Sequence, residues 1–268
     1  MEKNCKINIK EDSNKPIIIF FTSNDVGKVN SDNPPDNKYN YINITKTRFF
    51  QKKQYDTIFI RDISRSWYLY GINETCNNID KVLNLLNDKC QGRKIITVGG
   101  SAGGFAAIYF GLLLKAERII TFDAQVNIPL WLSFYEGLDT YDYLPSDFND
   151  RIPDIFEIIK NNSDTKIYYF YAMQSKIDLY QYDTIKDFKN FICFPFNSNE
   201  HARTVMAENM LDIIFFSDVK LNKLSKKPPK DGYSRIGFLF KSVNIFRALA
   251  IITRRIKRIL KKRFASKK

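Results

Sequence analysis

The chain has 268 residues, 44% hydrophobic and 15% aromatic, enough to bury one large core and too apolar for a disordered chain. Its net charge of +13 would suit a nucleic-acid binder, but the charge is concentrated at one end. From Lys226 onward there are 15 Lys+Arg and one acid, Asp231, for +14, while the preceding 225 residues sum to −1.

Met1 to Lys15 is polar and charged, without the apolar run of a secretory signal. Ile17-Ile18-Ile19-Phe20-Phe21 reads as a strand buried on both faces. Thr22 to Asn40, with Pro34-Pro35 and several Asn and Asp, reads as a loop. Tyr41 to Ile44 is expected as a short strand, and Thr57 to Ile60 as another that ends at Arg61-Asp62. Asn73 to Asn87 places Ile79, Val82, Leu83 and Leu86 at helical spacing. A strand over Lys94 to Val98, a glycine-rich turn and a helical run from Gly104 to Leu114 follow, then a strand at Arg118 to Phe122.

Residues 127–164 break the alternation with seven aromatic residues and three prolines, and read as an irregular helical excursion and candidate lid. Lys166 to Tyr171 resumes the sheet, Ser175 to Lys189 is loop and helix, Phe191 to Phe194 is a last strand, and His201 to Phe216 is a helix. Strands alternating with helices predict an α/β fold with a mostly parallel sheet covered on both faces. The expected organisation is a catalytic domain over 1–216, a linker over 217–233 and a basic amphipathic tail over 234–268.

Chemistry concentrates at Gly99-Gly100-Ser101-Ala102-Gly103, a G-x-S-x-G between strand and helix. A serine in such a turn is exposed at the top of the sheet, with a helix N-terminus where an oxyanion would form. Serine is a weak nucleophile and needs a base. The chain has one histidine, His201, just after the last strand. The acid that orients it belongs between the two, and Asp178 after the penultimate strand is preferred, with Asp123 as rival. Backbone donors for the oxyanion are expected at Ala102 and at Ser23 or Asn24. Arg61, Arg65 and Trp67 follow a strand on the same side and are candidates for holding substrate, the arginines an anionic group and the tryptophan a sugar or adenine ring. Cys5, Cys76, Cys90 and Cys193 show no metal-ligand spacing, so reduced thiols in a cytoplasmic protein and no metal are expected.

In the tail, Ile245, Leu249, Ile252, Ile256, Ile259 and Leu260 recur at helical spacing among arginines and lysines. That pattern is too charged to span a bilayer and suits a helix lying on anionic lipid at the inner face of the membrane, or docking on a membrane protein assembly. No nucleic-acid module accompanies it, so no nucleic-acid partner is expected.

Ile96 to Ala107 around Ser101, with Asp178 and His201 in that order, resembles the α/β-hydrolases. Arg61-Asp62 with Trp67 to Ile72, and Phe122-Asp123-Ala124-Gln125, resemble the branch that modifies bacterial capsules and surface glycans, including capsule polysaccharide O-acetyltransferases. The resemblance spans about Ile17 to Phe216 and implies an acyl-serine mechanism, with acetyl-CoA as donor and a surface-polysaccharide hydroxyl as acceptor. A carbohydrate esterase with the same triad, or a non-catalytic subunit of a membrane glycan assembly, are the alternatives it leaves open.

Overall fold

The computed structural model describes residues 4–10, 13–24, 39–202 and 204–265. Most of the Thr22 to Asn40 loop lies outside them. The strands are β1 (Cys5–Asn8), β2 (Ile17–Phe21), β3 (Asp56–Ile60), β4 (Ile95–Gly100), β5 (Arg118–Phe122), β6 (Lys166–Ala172) and β7 (Phe191–Phe196). The helices are α1 (Ile42–Thr45), α2 (Arg48–Gln51), α3 (Ile79–Cys90), α4 (Ala102–Leu113), α5 (Ile128–Ser133), α6 (Ile155–Asn161), α7 (Lys176–Ile185), α8 (Ala207–Ile214), α9 (Asp218–Ser225), α10 (Arg235–Ser242) and α11 (Ile245–Ala265).

The strands form one sheet in the order β1-β3-β2-β4-β5-β6-β7, parallel throughout except for β1, which runs antiparallel along β3. The pleat divides each apolar run between two cores. Ile17, Ile19 and Phe21 face the side packed by α3, α4 and α7, and Ile18 and Phe20 face the side packed by α8, α9 and α10. This is why the strands read as unbroken apolar runs. Helix α4 is buried along nearly its whole length, which explains its lack of a polar stripe.

Because β2 and β4 to β7 are parallel, their carboxyl ends lie along one edge of the sheet. The segments after them, at Thr22–Ser23, Ser101, Asp123–Gln125, Met173–Asp178 and His201, converge there.

Four expectations need correction. Strand β1 precedes Ile17, where no strand is expected; the Arg61 N–H donates to the Asn4 carbonyl at its start. Tyr41 to Ile44 is not a strand: Tyr41 adopts a left-handed φ of 66° and the chain turns into α1. The last long helix of the body starts at Ala207, because Ala202 has a φ of 61° that no right-handed helix allows; His201 therefore sits in a loop. Residues 217–233 are not a linker. Leu221, Leu224 and Tyr233 are buried in the core, Tyr233 bridges the end of β7 in parallel, and its hydroxyl donates to the Leu224 carbonyl.

The tail also begins inside the fold. Phe238 and Leu239 of α10 are fully buried, and Ala248 and Ile251 of α11 pack with Met206 and Leu239. Among the described residues, no helix is long and apolar enough to cross a membrane.

Candidate active site

Ser101 occupies a sharp turn between β4 and α4 with φ 54° and ψ −127°, a conformation costly for any residue with a side chain. Two glycines make the turn feasible. A Cβ on Gly99 would sit 1.9 Å from the Gly103 carbonyl oxygen, and one on Gly103 would sit 2.5 Å from that of Phe21. The second contact presses the start of α4 against the end of β2, and so brings the Thr22–Ser23 backbone beside Ser101.

His201 bridges the other two members of the triad. Its Nε2 is 2.9 Å from Ser101 Oγ and its Nδ1 is 2.6 Å from Asp178 Oδ1. The carboxylate can only accept, so Nδ1 carries the proton and Nε2 is free to accept the serine proton. Asp178 is wholly buried on the first turn of α7, and among the described residues its buried Oδ2 has no hydrogen-bond partner, while Oδ1 meets the imidazole. The Trp131 ring packs 4.8 Å from the imidazole, between centroids.

The hydrogen bonds of Asp123 run to two other groups. Its Oδ1 accepts from the Ala172 N–H at the end of β6, and its Oδ2 accepts from the Thr204 hydroxyl in the His201 loop. Burial, then the adjacent Asp178 carboxylate, push its pKa up to about 8, so it is mostly neutral at pH 7. It ties the β6 end to the loop that carries the base, and Asp178 occupies the position of the triad acid.

A further residue completes the serine's hydrogen bonding. Gln125 Nε2 donates to Ser101 Oγ at 2.7 Å, and Gln125 Oε1 accepts from Trp67 Nε1 at 2.6 Å. An indole N–H can only donate, which fixes the amide orientation. Ser101 Oγ then accepts from Gln125 and donates to His201, each role filled once. Gln125 stands in the sequence within the Phe122 to Gln125 segment beyond a strand end, but nothing there signals its role; its partnership with Trp67 spans 58 positions.

Ala102 begins α4, so its N–H has no acceptor within the helix and lies at the positive end of the helix dipole. Ser23 lines the cavity onto which Ser101 opens. The side-chain amide of Asn24 donates to the Arg65 carbonyl.

The structure does not bring the three proposed substrate contacts to this cavity. Arg61 is buried and donates twice to Asn4 Oδ1, which anchors the edge strand. Trp67 is fully buried against Tyr141 and Phe148, so its ring faces cannot stack on a ligand. Arg65 lies on the surface with its guanidinium over the Tyr143 ring. Buried Asp62 shapes this segment by accepting the N–H groups of Ser66 and Tyr68, while its burial holds its carboxyl above the usual range.

The cavity encloses about 780 Å³, a size typical of small-molecule sites. Tyr39, Tyr41 and Ile42 form one wall, Ala207, Met210 and Leu211 of α8 another, and Arg247, Ile251, Arg254 and Arg258 of α11 a third. Among the described residues, no group of three or more His, Cys, Asp or Glu is placed to hold a metal ion.

The fold is similar to that of the capsule O-acetyltransferase of Neisseria meningitidis serogroup A, with a TM-score of 0.51 at 17% identity over 73% of this chain and 84% of that one. A histidine-to-alanine mutant of the same enzyme, in complex with CoA, gives 0.50 at 16% identity over 73% and 83%. The sequence matches no protein-family model and no curated protein. The chain therefore has an α/β-hydrolase-like fold, with an ordered Ser-His-Asp constellation at the carboxyl edge of its sheet.

Proposed function

We propose that the protein is a serine O-acetyltransferase that takes acetyl from acetyl-CoA and transfers it to a hydroxyl of a capsular or surface polysaccharide. The observation that carries this reading is His201 held between Ser101 Oγ and buried Asp178. The fold shared with a capsule O-acetyltransferase, one form of which is in complex with CoA, supports the donor and acceptor classes.

In the first half-reaction Ser101 Oγ attacks the thioester carbonyl as its proton passes to His201 Nε2. The tetrahedral oxyanion forms at the N-terminus of α4, near Ala102 N–H. Collapse breaks the C–S bond, and His201 returns the proton to the leaving thiolate. In the second half an acceptor hydroxyl gives its proton to His201 and attacks the acetyl-serine; the acyl C–Oγ bond breaks, His201 returns the proton to Ser101 Oγ, and the ester is released. The imidazolium formed in each half is stabilised by Asp178, and Gln125 keeps Oγ oriented throughout.

The test is incubation with acetyl-CoA followed by mass spectrometry of the peptide that contains Ser101. An acetyl adduct that disappears on adding acceptor glycan, with acetate appearing on the glycan, supports the transferase. Release of acetate from acetylated glycan without CoA would make the protein a carbohydrate esterase, and a wild-type Ser101 that neither acetyl-CoA, acetylated glycan nor a fluorophosphonate probe labels would make it a non-catalytic subunit.

The enzyme works on the inner face of the membrane as a peripheral protein. Ile245, Phe246, Leu249, Ile256 and Leu260 of α11 are exposed on one side of the helix, and Lys257 is exposed nearby. That apolar stripe, with Lys257 beside it, suits an anionic bilayer. Co-sedimentation with phosphatidylglycerol vesicles is expected and should fall when Phe246 and Leu249 are replaced by Asp. Equal sedimentation of that variant would rule the membrane contact out.

A further inference from the structure

The net positive charge of the chain lies at its C-terminal end, and part of that end reaches the cavity of Ser101. At 3.6 residues per turn, α11 presents Arg247, Arg254 and Arg258 on one side and Ile245, Leu249 and Ile256 on roughly the opposite side. Ala248 and Ile251 lie between the two, buried against Met206 and Leu239 of α10, and fix the rotation of the helix. The three arginines line the cavity, joined across it by Arg48 of α2. Among the described lining residues the only carboxylate is Glu208.

Two of these arginines are tied to α8. Arg258 pairs with Glu208 at 2.8 Å, and Arg247 pairs with Asp212 at 3.2 Å. Arg254 differs: its Nε donates to the Ala250 carbonyl of its own helix. Among the described residues, neither Arg254 nor Arg48 is within ion-pair distance of a carboxylate. Unneutralised guanidiniums on the wall of a largely apolar cavity attract an anion, and their planar forks match phosphate oxygens.

We infer that Arg48 and Arg254, backed by Arg247 and Arg258, form a phosphate-binding wall of the Ser101 cavity, which makes α11 part of the substrate site. The ligand is a phosphate-bearing one whose reactive end reaches Ser101 while its anionic end rests on α11. This rests on the acyl-serine reading for what happens at Ser101, but not for the binding itself. The shared chemistry is the phosphate group, carried either by the CoA of the donor or by a phosphorylated sugar of the acceptor.

Calorimetry on the full chain tests it with CoA, with pantetheine, which lacks the phosphates of the nucleotide end, and with glucose 1-phosphate. The wild type is expected to bind CoA at least about tenfold more tightly than pantetheine, as charge-assisted hydrogen bonds of this kind would give. In Arg48→Ala/Arg254→Ala that advantage disappears, while pantetheine binding is retained and shows that the cavity is still formed. Loss in the variant of glucose 1-phosphate binding rather than CoA binding also supports the wall and assigns the phosphate to the acceptor. The same titrations on Ser101→Ala are expected to match the wild type, so a protein whose serine never acylates can still reveal the wall. A double variant that binds CoA and glucose 1-phosphate as the wild type does overturns the inference, as does a wild type that prefers neither phosphate ligand over pantetheine.

Discussion

Replacing each of the two buried carboxylates by its neutral isostere separates the triad acid from its neighbour. In Asp178→Asn the side chain keeps its shape but can present an N–H to His201 Nδ1. The imidazole would then accept at Nδ1 and carry its proton on Nε2, where it can no longer take one from Ser101. A tautomer switch of this kind in a Ser-His-Asp triad lowers the rate about 10⁴-fold, equal to roughly 5.4 kcal/mol of barrier at about 1.36 kcal/mol per tenfold. Stability should move the other way. Asp178 is 0% exposed and its Oδ2 has no partner among the described residues, so the amide removes a buried carboxylate rather than a network, and the melting temperature should not fall. Asp123→Asn is the control. Its oxygen can still accept from Ala172 N–H, its amide can donate to the Thr204 hydroxyl, and it resembles the neutral form that Asp123 mostly holds at pH 7. It should lose less than about tenfold, the scale of one perturbed hydrogen bond. The assay is thiol release from acetyl-CoA in the presence of glycan, with the rate of fluorophosphonate labelling of Ser101 as a second readout. Asp178→Asn within about tenfold of wild type, with Asp123→Asn down by about 10³, would refute the assignment and make Asp123 the acid.

Gln125→Leu removes the donor to Ser101 Oγ and leaves the buried Trp67 N–H without an acceptor. Thiol release should fall about tenfold or more, and urea unfolding should show a loss of about 1–3 kcal/mol; unchanged stability would mean that the indole finds another partner. Gly103→Ala places a methyl 2.5 Å from the Phe21 carbonyl oxygen, between a strand and a helix that cannot part locally. It should cost about 1–3 kcal/mol by urea unfolding and slow Ser101 labelling, since α4 must shift. The pH dependence follows from Asp123, whose folded pKa is raised above its unfolded value. Its contribution to stability is full below the unfolded pKa and is lost as pH rises toward about 8. Wild type should therefore lose stability relative to Asp123→Asn as pH rises from 5 to 8 in urea titrations, and a wild type that gains on the variant over that range would contradict the assignment.

The sheet could be read from the chain because each of its central strands is apolar on both faces and bounded by turn residues, and because Ser101, Asp178 and His201 each follow a strand at the same edge. What the sequence did not disclose depends on contacts between distant segments. Arg61 and Trp67 look like ligand-binding residues beside a strand end, yet one is consumed by Asn4 and the other by Gln125. Nothing local to either residue signals that partner. The docking of the tail is hidden for a related reason. Its amphipathic spacing reveals that one face is apolar, but not that Ala248 and Ile251, which lie outside the stripe read from the spacing, are the residues that dock. Once they do, the remaining faces acquire separate tasks: the arginines turn toward the cavity of Ser101 and the larger aliphatic residues toward solvent. If both proposals for α11 hold, the helix lies between bilayer and active site. A substrate delivered at the membrane surface would then meet positive charge on the wall that leads to Ser101, so the charge of the tail would act in acyl transfer as well as in attachment.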